Sequence, residues 1–435
     1  MKVTHVNTYD CSGGAARAAY RLQEGLQRIG QTSRMFVLKK DSSDPNVIRY
    51  ELKKDIHSRL KRKLRQQLIK RGIKPYLTSA PDGLSFFTDD RTPYGRDPWG
   101  QLPECDIIQL HWVSGFVDYG GFFSSLPPHK PVVWTVHGME ALTGGCHYDR
   151  GCGRFAERCG ACPQLGSSSE TDITRRVWLR KKTSYQKLGS KQLHVVSPSR
   201  WLRDEVKRSS LLSGFPCSVI PYGLDTDVFS PRDSRVAREM FGIPFDAKAI
   251  LFIADGLHIQ RKGLHLLVEA LAGGNPDGDV FLICVGPGFP PDLRRFPHNH
   301  IEAVHDDRLL SQIYSSADVL VVPSLQENLP NTAVEAISCG TPVVGFAVGG
   351  IPDIVRPGLT GSLARPGDAG DLRRAITELL NNQNRKVMSE SCRRIALQEY
   401  SLENQARRYL DLYEQLLRNV GIQSRDTQVK SAARI

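Results

Sequence analysis

Residues 317–344, with the sequence ADVLVVPSLQENLPNTAVEAISCGTPVV, decide the fold of this chain. The stretch opens with an apolar run that ends at Pro323 and Ser324. A helical pattern follows from about Asn331, and a second apolar run extends from Val343 to Phe346. Runs that are apolar at every position suit parallel strands covered by helices on both faces. The stretch therefore predicts two strands of one parallel sheet joined by a helix.

The same alternation occurs along most of the chain. Further apolar runs extend from Val3 to Thr8, Ile107 to His111, Val132 to Val136, His194 to Ser197, Ile250 to Ala254 and Val280 to Val285. The segment that begins Ile220-Pro221-Tyr222-Gly223 has the composition of a linker and separates two such series. The pattern predicts an α/β chain of two Rossmann-like, doubly wound parallel-sheet domains. Loops that follow strands hold the ligands in such folds, so we expect the site in a central cleft that both domains face.

We expect the following boundaries. The first domain covers 1–220 and carries a cysteine-rich insert at 144–163, and the second covers 221–400. A C-terminal helix over 401–420 is expected to pack back on the first domain, and 421–435 is expected to be a flexible tail.

The composition excludes several classes of protein. Of 435 residues, 40% are hydrophobic and 24% charged, which is ordinary globular usage and excludes a mostly disordered or fibrous chain. No apolar run reaches about 18 residues, and Met1 to Val6 predicts a strand and not a signal peptide. We therefore expect a cytoplasmic protein with reduced cysteines. The formal charge of +12 indicates an anionic partner.

Two loops after predicted strands suit an anionic ligand. Gly13 and Gly14 lie between the first strand and a helical pattern, where glycines let backbone N–H groups approach a phosphate. Arg261 and Lys262 directly precede another helical pattern, so their charges and the helix dipole act in the same direction on a diphosphate. On local grounds a structural turn and ordinary surface charge are the competing interpretations.

Two carboxylates lie in the stretch quoted first. Glu327 is expected in the loop after the strand, and Glu335 in the second turn of the helix. A carboxylate can accept two hydrogen bonds from a vicinal diol, which suits Glu335 to a ribose and Glu327 to a sugar hydroxyl.

The surrounding sequence resembles the family 4 retaining glycosyltransferases, which have the GT-B fold. The resemblance is carried by the stretch quoted first, by residues 349–355 and 358–361, and by residues 219–229 at the linker. It covers nearly the whole second domain. In the first domain it is thinner, and includes Gly13-Gly14 and residues 135–138, Thr-Val-His-Gly.

The resemblance implies transfer of a sugar from a nucleotide donor with retained anomeric configuration. It implies that Glu335 holds the ribose, Glu327 the donor sugar, and Arg261 with Lys262 the departing diphosphate, whose growing negative charge fixed cations stabilise. It also places His137 beside the donor sugar, with a buried structural histidine as the alternative. The predicted catalytic residues are His137 and Glu327, and the predicted donor-binding residues are Gly13, Gly14, Arg261, Lys262, Asn328, Leu329, Asn331 and Glu335.

The sequence departs from the family pattern at two places. Many members carry an arginine five residues before the lysine, where this chain has Leu257, so Arg261 is expected to supply the second cation. The usual glycine-rich segment after the first glutamate is replaced by residues 328–331, in which Pro330 has no N–H to donate. Asp225-Thr226-Asp227 is interpreted as an interdomain turn, and we predict no catalytic divalent metal.

A cluster of cysteines follows His137. Cys146, Cys152, Cys159 and Cys162 are separated by several glycines, which allow a short loop to present four thiolates to one ion. The spacing predicts a structural Zn²⁺ site, with His147 as a substitute ligand. Reduced, buried thiols are the alternative. Similar inserts occur in colanic-acid-type exopolysaccharide glycosyltransferases, which favours a glycan or lipid-linked acceptor from envelope or exopolysaccharide synthesis.

The segment 53–74 contains ten Lys or Arg residues against Asp55 alone. Ile56, Leu60, Leu64 and Leu68 recur every four residues within it, which is the pattern of a basic amphipathic helix. Such a helix can lie on an anionic membrane, here the inner face of the plasma membrane, or can pack its leucines on its own domain.

Two other functions compete with sugar transfer. A nucleotide-sugar epimerase of the same fold would need an acid/base set that the sequence does not reveal. A zinc-containing nucleic-acid-binding protein would interleave basic and aromatic residues on one face, whereas the cations here cluster in one leucine-patterned helix. We therefore expect no nucleic-acid partner.

Overall fold

The computed structural model describes residues 1–77, 87–189, 191–274, 280–288 and 291–432. The chain divides into two compact units. Unit 1 comprises Met1–Ile220 together with Ala406–Ile435, and unit 2 comprises Pro221–Gln405.

Unit 1 contains a seven-stranded sheet in which every pair of neighbours is parallel. Its strands are β1 (Lys2–Tyr9), β2 (Thr32–Lys39), β3 (Val47–Arg49), β4 (Ile107–Leu110), β5 (Val132–Thr135), β6 (Leu193–Ser197) and β7 (Cys217–Val219), and its first five helices are α1 (Gly14–Arg28), α2 (Ile56–Leu77), α3 (Tyr119–Phe123), α4 (Ile173–Tyr185) and α5 (Arg200–Arg208). The strand order is β3-β2-β1-β4-β5-β6-β7. The order therefore reverses between β1 and β4, which is the point where ligands bind in sheets of this kind.

Unit 2 repeats this plan with six parallel strands. They are β8 (Lys248–Ile253), β9 (Val280–Val285), β10 (His298–Ile301), β11 (Val319–Val322), β12 (Val343–Phe346) and β13 (Gly361–Ala364), with helices α6 (Ser234–Met240), α7 (Leu264–Ala272), α8 (Asp307–Ser316), α9 (Asn331–Ser338), α10 (Ile351–Ile354), α11 (Ala369–Leu380) and α12 (Arg385–Glu399). The order β10-β9-β8-β11-β12-β13 reverses between β8 and β11. The two doubly wound sheets confirm the predicted fold class.

The last helix, α13, extends over Leu402–Ala432. From Ala406 onward it belongs to unit 1, where Tyr409 and Tyr413 are fully buried in an apolar cluster with Val3 and Val133. The Tyr413 hydroxyl donates to Gln109 Oε1 at 2.8 Å. The helix extends to Ala432, and the flexible tail expected from 421 stays a prediction. The segment contains no proline after residue 401 that would end the helix.

Within the described ranges, none of the helices is both long enough and apolar enough to span a bilayer.

Candidate functional site

The loops after β8 and β11 bring together the cations and one of the carboxylates predicted from the sequence. Because β8 and β11 are adjacent parallel strands, both loops leave the same edge of the sheet. Lys262 Nζ donates to Glu327 Oε2 at 2.7 Å, and the Arg261 guanidinium lies 3.3 Å from the same oxygen. Arg261 also donates to the Gln326 carbonyl at 2.6 Å. We call Arg261, Lys262 and Glu327 the charge cluster.

The charge cluster holds Glu327 in its ionised form. The side chain of Glu327 is only 10% exposed, and burial by itself raises the pKa of a carboxyl group. The adjacent Lys262 and Arg261 charges and their hydrogen bonds outweigh burial and lower the pKa of Glu327 to about 2. Two cations then share one buried carboxylate. Lys262 Nζ also lies 3.9 Å from Asp255, whose side chain is 69% exposed and screened by solvent, so a further anion can bind at the two cations.

Glycines let the surrounding loops approach the cluster. Gly263 has a φ of +77°, and a Cβ there would lie 1.8 Å from the Pro323 carbonyl oxygen. Gly349 has a φ of +55°, and its Cβ would lie 1.7 Å from the Glu327 carbonyl oxygen, which also accepts the Gly350 N–H at 3.2 Å. Only glycine fits either position. The loops after β8, β11 and β12 are thus packed backbone to backbone.

Glu335 lies in the second turn of α9 and is 3% exposed. Its Oε2 accepts the hydroxyl of Tyr314, from α8, at 2.7 Å. Tyr314 is fully buried, and no sequence motif marks it as part of a site. In the sequence Tyr314 occupies an apolar position of a helical pattern, which does not predict a hydrogen bond from its hydroxyl. The ribose-binding role of Glu335 stays a prediction.

The other donor-binding residues predicted in unit 2 follow Glu327 directly in the sequence. Asn328 is buried, and its backbone N–H lies 3.3 Å from Glu327 Oε1. Leu329 is 3% exposed and belongs to the packed interior. Asn331 is half-buried and is the first residue of α9. Their contacts with a donor stay predictions.

Two further positions interpreted from the sequence, Leu257 and Asp225, have structural counterparts. Leu257 is 3% exposed, and its N–H donates to the Pro287 carbonyl at 2.9 Å, so this position is part of the interior. At the linker, Asp225 accepts the N–H groups of Asp227 and Val228 at 2.9 and 3.1 Å. This carboxylate closes a turn, as interpreted from the sequence.

The unit 1 candidates follow β1 and β5. Gly13, with a φ of +86°, precedes α1, and no atom lies within 4 Å of a Cβ built on it. Gly14 is exposed and begins α1. His137 is half-buried directly after β5, and loss of hydration lowers its pKa to about 3, so the imidazole is neutral. Its Nε2 lies 3.1 Å from Nδ1 of His111, a residue that the sequence analysis did not assign to the site.

Four cysteines line one small cavity in unit 1. Cys146, Cys152, Cys159 and Cys162 surround a space of about 20 Å³, about enough for one water molecule. The Gly144 N–H donates to Cys159 Sγ at 3.1 Å. Burial raises the pKa of the Cys159 thiol to about 11.

The cysteine sulfurs are spaced more widely than in a closed four-thiolate site. Among the described residues, only Asp10, Cys11 and Asp41 place three ligand atoms of the His, Cys, Asp or Glu type within 4.8 Å of one another. His147, the predicted substitute ligand, instead stacks on Trp112 with ring centroids 4.4 Å apart. Its Nε2 lies 2.8 Å from Thr88 Oγ1.

Comparison with known proteins agrees with this architecture. Residues 247–382 match the family model described as "Glycosyl transferases group 1". The D-inositol 3-phosphate glycosyltransferase of Mycobacterium tuberculosis H37Rv is 29% identical over 326 residues, which is 69% of this chain and 59% of the relative. The chain thus spans 59% of the length of the curated relatives it matches.

Solved structures are similar over nearly the whole chain. Sucrose-phosphate synthase from Thermosynechococcus elongatus has a TM-score of 0.65 at 21% identity, over 96% of this chain and 100% of that one. HepE from Anabaena, solved in complex with UDP and glucose, has a TM-score of 0.63 at 15% identity, over 95% and 99% of the two chains. The chain therefore has the GT-B fold, and residues 247–382 match the glycosyl transferases group 1 family model.

Proposed function

We propose that this protein is a retaining glycosyltransferase that moves a sugar from a nucleotide-sugar donor to a glycan or lipid-linked acceptor. We place the reaction in the synthesis of an exopolysaccharide or another polysaccharide of the cell envelope. The group 1 family match supports sugar transfer, and the complex of HepE with UDP and glucose supports a nucleotide sugar as donor.

The charge cluster is the observation that carries the proposal. Lys262 and Arg261 lie at the reversal point of the unit 2 sheet, with Lys262 Nζ 2.7 Å from Glu327. A donor diphosphate becomes more negative as its bond to the sugar breaks, so fixed cations stabilise the transition state more than the ground state. The ionised Glu327 is suited to accept a hydrogen bond from a donor sugar hydroxyl.

Calorimetry with UDP-, GDP- and ADP-sugars tests the donor assignment. We expect one base to bind, and Lys262→Ala to weaken that affinity by about ten-fold or more, as loss of a charge-assisted contact does. Lys386→Ala, which removes an exposed cation from α12, is the matched control and should leave affinity unchanged. Equal affinities for the two variants would contradict the assignment. NMR of the product anomer relative to the donor anomer tests retention.

The surface of α2 supports a lipid-linked acceptor. Ile56, Leu60, Leu64 and Leu68 are 79%, 66%, 57% and 54% exposed. The leucines therefore do not pack on their own unit, which was the alternative left open by the sequence. Arg65 attaches the helix through an ion pair with Asp118 at 2.5 Å, and Ile73 and Tyr76 near its C-terminal end pack on an apolar cluster of unit 1.

An exposed apolar stripe on a strongly cationic segment matches an anionic membrane surface. We therefore propose that residues 53–74 contact the cytoplasmic face of the plasma membrane peripherally, which would bring the enzyme to an acceptor held on a lipid carrier. Neutral vesicles lack the charge that attracts the segment, and acidic vesicles supply it.

Co-sedimentation with vesicles tests the membrane contact. The protein should pellet with vesicles that contain phosphatidylglycerol at low salt and should stay in solution with phosphatidylcholine alone. Leu60→Gln combined with Leu64→Gln should abolish pelleting without changing charge. Leu359→Gln, at a leucine 47% exposed in unit 2, is the control. If the double variant pellets as much as Leu359→Gln does, the proposed membrane contact is wrong.

We also propose that the four cysteines hold a structural Zn²⁺. The donor set is that of a Cys₄ site, and one cavity of about 20 Å³ is lined by all four residues. The ion would contribute folding stability to the loop and takes no part in the sugar transfer, for which we propose no catalytic divalent metal. Bound zinc would require the sulfurs to approach more closely than they do here.

Elemental analysis of protein purified without chelators tests the zinc site. We expect one zinc per chain, and a loss of that zinc together with a lower melting temperature in Cys159→Ser. Cys284→Ser, at a buried cysteine of β9, controls for loss of a thiol. Zinc-free protein with an unchanged melting temperature after zinc addition would leave the cysteines as reduced, buried thiols.

A further inference from the structure

Three histidines of unit 1, His5, His111 and His137, form a continuous hydrogen-bonded chain. His5 Nε2 lies 2.9 Å from Ser33 Oγ, and His5 Nδ1 lies 2.9 Å from His111 Nε2. His111 Nδ1 in turn lies 3.1 Å from His137 Nε2. The series Ser33, His5, His111 and His137 is called the histidine chain. It crosses four neighbouring strands or their ends, from β2 through β1 and β4 to β5.

The rings are oriented for hydrogen bonds between nitrogens. The centroids of His5 and His111 are 5.2 Å apart with planes inclined by 20°, and those of His111 and His137 are 5.4 Å apart with planes inclined by 32°. The rings are nearly coplanar and contact each other through their nitrogens. The N–H of one ring therefore points at the in-plane lone pair of the next ring.

All three imidazoles are neutral at ordinary pH. His5 is fully buried and His111 is 3% exposed. Loss of hydration lowers the pKa of His5 and of His137 to about 3, and lowers the pKa of His111 well below its ordinary value. A neutral imidazole has one N–H and one lone pair, so each ring can donate at only one of its nitrogens.

This restricts the tautomers. If His5 donates from Nδ1 to His111 Nε2, then His111 carries its proton on Nδ1 and donates to His137, whose proton is also on Nδ1. If the direction is reversed, all three rings carry the proton on Nε2. Any mixture would place two N–H groups or two lone pairs against each other in a buried site, which is unfavourable.

We propose that Ser33, His5 and His111 are positioning residues that fix the ring orientation and the tautomer of His137. They thereby decide whether its other nitrogen, Nδ1, acts as a donor or an acceptor. The consequence for sugar transfer rests on the proposed function, in which His137 lies beside the donor sugar. The coupling of the tautomers does not depend on that function.

Long-range ¹H–¹⁵N NMR of the full chain, labelled at histidine, tests the coupling without a substrate. The resonances of His5, His111 and His137 are assigned by single His→Gln variants. We expect three neutral rings at pH 7 that share one tautomer. A mixed set of tautomers, or a charged ring, would overturn the proposal whether or not the protein transfers sugars.

Ser33→Ala perturbs the far end of the histidine chain. It leaves His5 Nε2 without its hydroxyl partner, and a buried N–H is less tolerant of that loss than a lone pair. All three rings of the variant should therefore carry the proton on Nδ1. Ser218→Ala is the matched control, because it removes a similar contact of 2.8 Å from His194 in the same sheet. It should change only the His194 signals.

The transfer rate should follow the tautomer. If the wild-type rings are protonated on Nε2, Ser33→Ala inverts all three and kcat falls about ten-fold, the effect of one lost hydrogen bond in the transition state. If they are protonated on Nδ1, the variant keeps both tautomer and rate. The positioning role would be refuted if Ser33→Ala inverts the tautomers and kcat does not change. It would also be refuted if Ser33→Ala keeps the tautomers but lowers kcat ten-fold while Ser218→Ala does not.

Discussion

Glu327→Gln separates the structural role of the charge cluster from its role in donor binding. The substitution keeps the size of the side chain and removes the charge that Lys262 contacts at 2.7 Å. The pKa of Glu327 is about 2, against an ordinary value of 4.5. This difference corresponds to about 3 kcal/mol of folding free energy at neutral pH, because one pKa unit is about 1.4 kcal/mol. We expect Glu327→Gln to lose about that amount.

Differential scanning calorimetry measures this loss. For a domain of this size, about 3 kcal/mol corresponds to a decrease in melting temperature of about 6–12 °C. Glu378→Gln is the matched control, since Glu378 pairs with Arg374 on α11 at 2.9 Å and both side chains are 58% exposed. An exposed pair of this kind contributes less than about 1 kcal/mol.

The pH dependence has a defined direction. The folded-state pKa of Glu327 lies below its unfolded value, so its contribution is fully present above about pH 4.5. The contribution is lost as the pH falls from there towards 2. The difference in melting temperature between wild type and Glu327→Gln should therefore shrink in that window and stay constant above it.

Nucleotide binding should respond in the opposite sense to stability. Without the Glu327 charge, Lys262 and Arg261 lose the buried carboxylate that they share, and the diphosphate of a free nucleotide supplies an anion in its place. Glu327→Gln should thus bind the nucleoside diphosphate at least as tightly as wild type, while sugar transfer is lost. A melting temperature within about 1 °C of Glu378→Gln, or a nucleotide affinity that falls as far as in Lys262→Ala, would refute this account of the cluster.

Two further predictions concern residues that support the cluster. Gly349→Ala should lower the free energy of unfolding by more than about 3 kcal/mol, because its Cβ would lie 1.7 Å from a carbonyl oxygen. Gly242 has a similar φ of +62° and no atom within 4 Å of its Cβ position, so Gly242→Ala should lower this free energy by only about 1 kcal/mol. Urea titrations measure both losses. Equal losses would show that backbone conformation alone decides the effect. Tyr314→Phe should lower the free energy of unfolding by about 1–3 kcal/mol and weaken donor binding, because the buried Glu335 loses a hydroxyl donor at 2.7 Å. An unchanged donor affinity in calorimetry would show that Glu335 is not part of the donor site.

The central strands could be predicted from the sequence alone. All eight runs lie on strands of the structure, because strands buried on both faces favour apolar and β-branched residues, although β1 also buries His5 and β4 buries Gln109. The five strands without such a prediction are β2, β3, β7, β10 and β13. Four of these five lie at the edges of the two sheets, where partly exposed positions tolerate polar residues, as in His298–Ile301.

The sequence also located the loops of the charge cluster, because the family motifs are continuous there. It did not reveal that Lys262 and Glu327 contact each other across 65 positions, or that Tyr314 reaches Glu335. Contacts between distant segments depend on which strands are neighbours, and the order of strands in a sheet cannot be predicted from local composition.

What the sequence by itself determined is therefore the alternation of strands and helices, the two-domain plan and the loops in which the chemistry is expected. Only the tertiary structure decided that the leucines of α2 stay exposed and that His5, His111 and His137 meet in one chain. The physical reason is that burial and side-chain pairing arise from strand order and register, which join residues 106 positions apart in a contact of 2.9 Å.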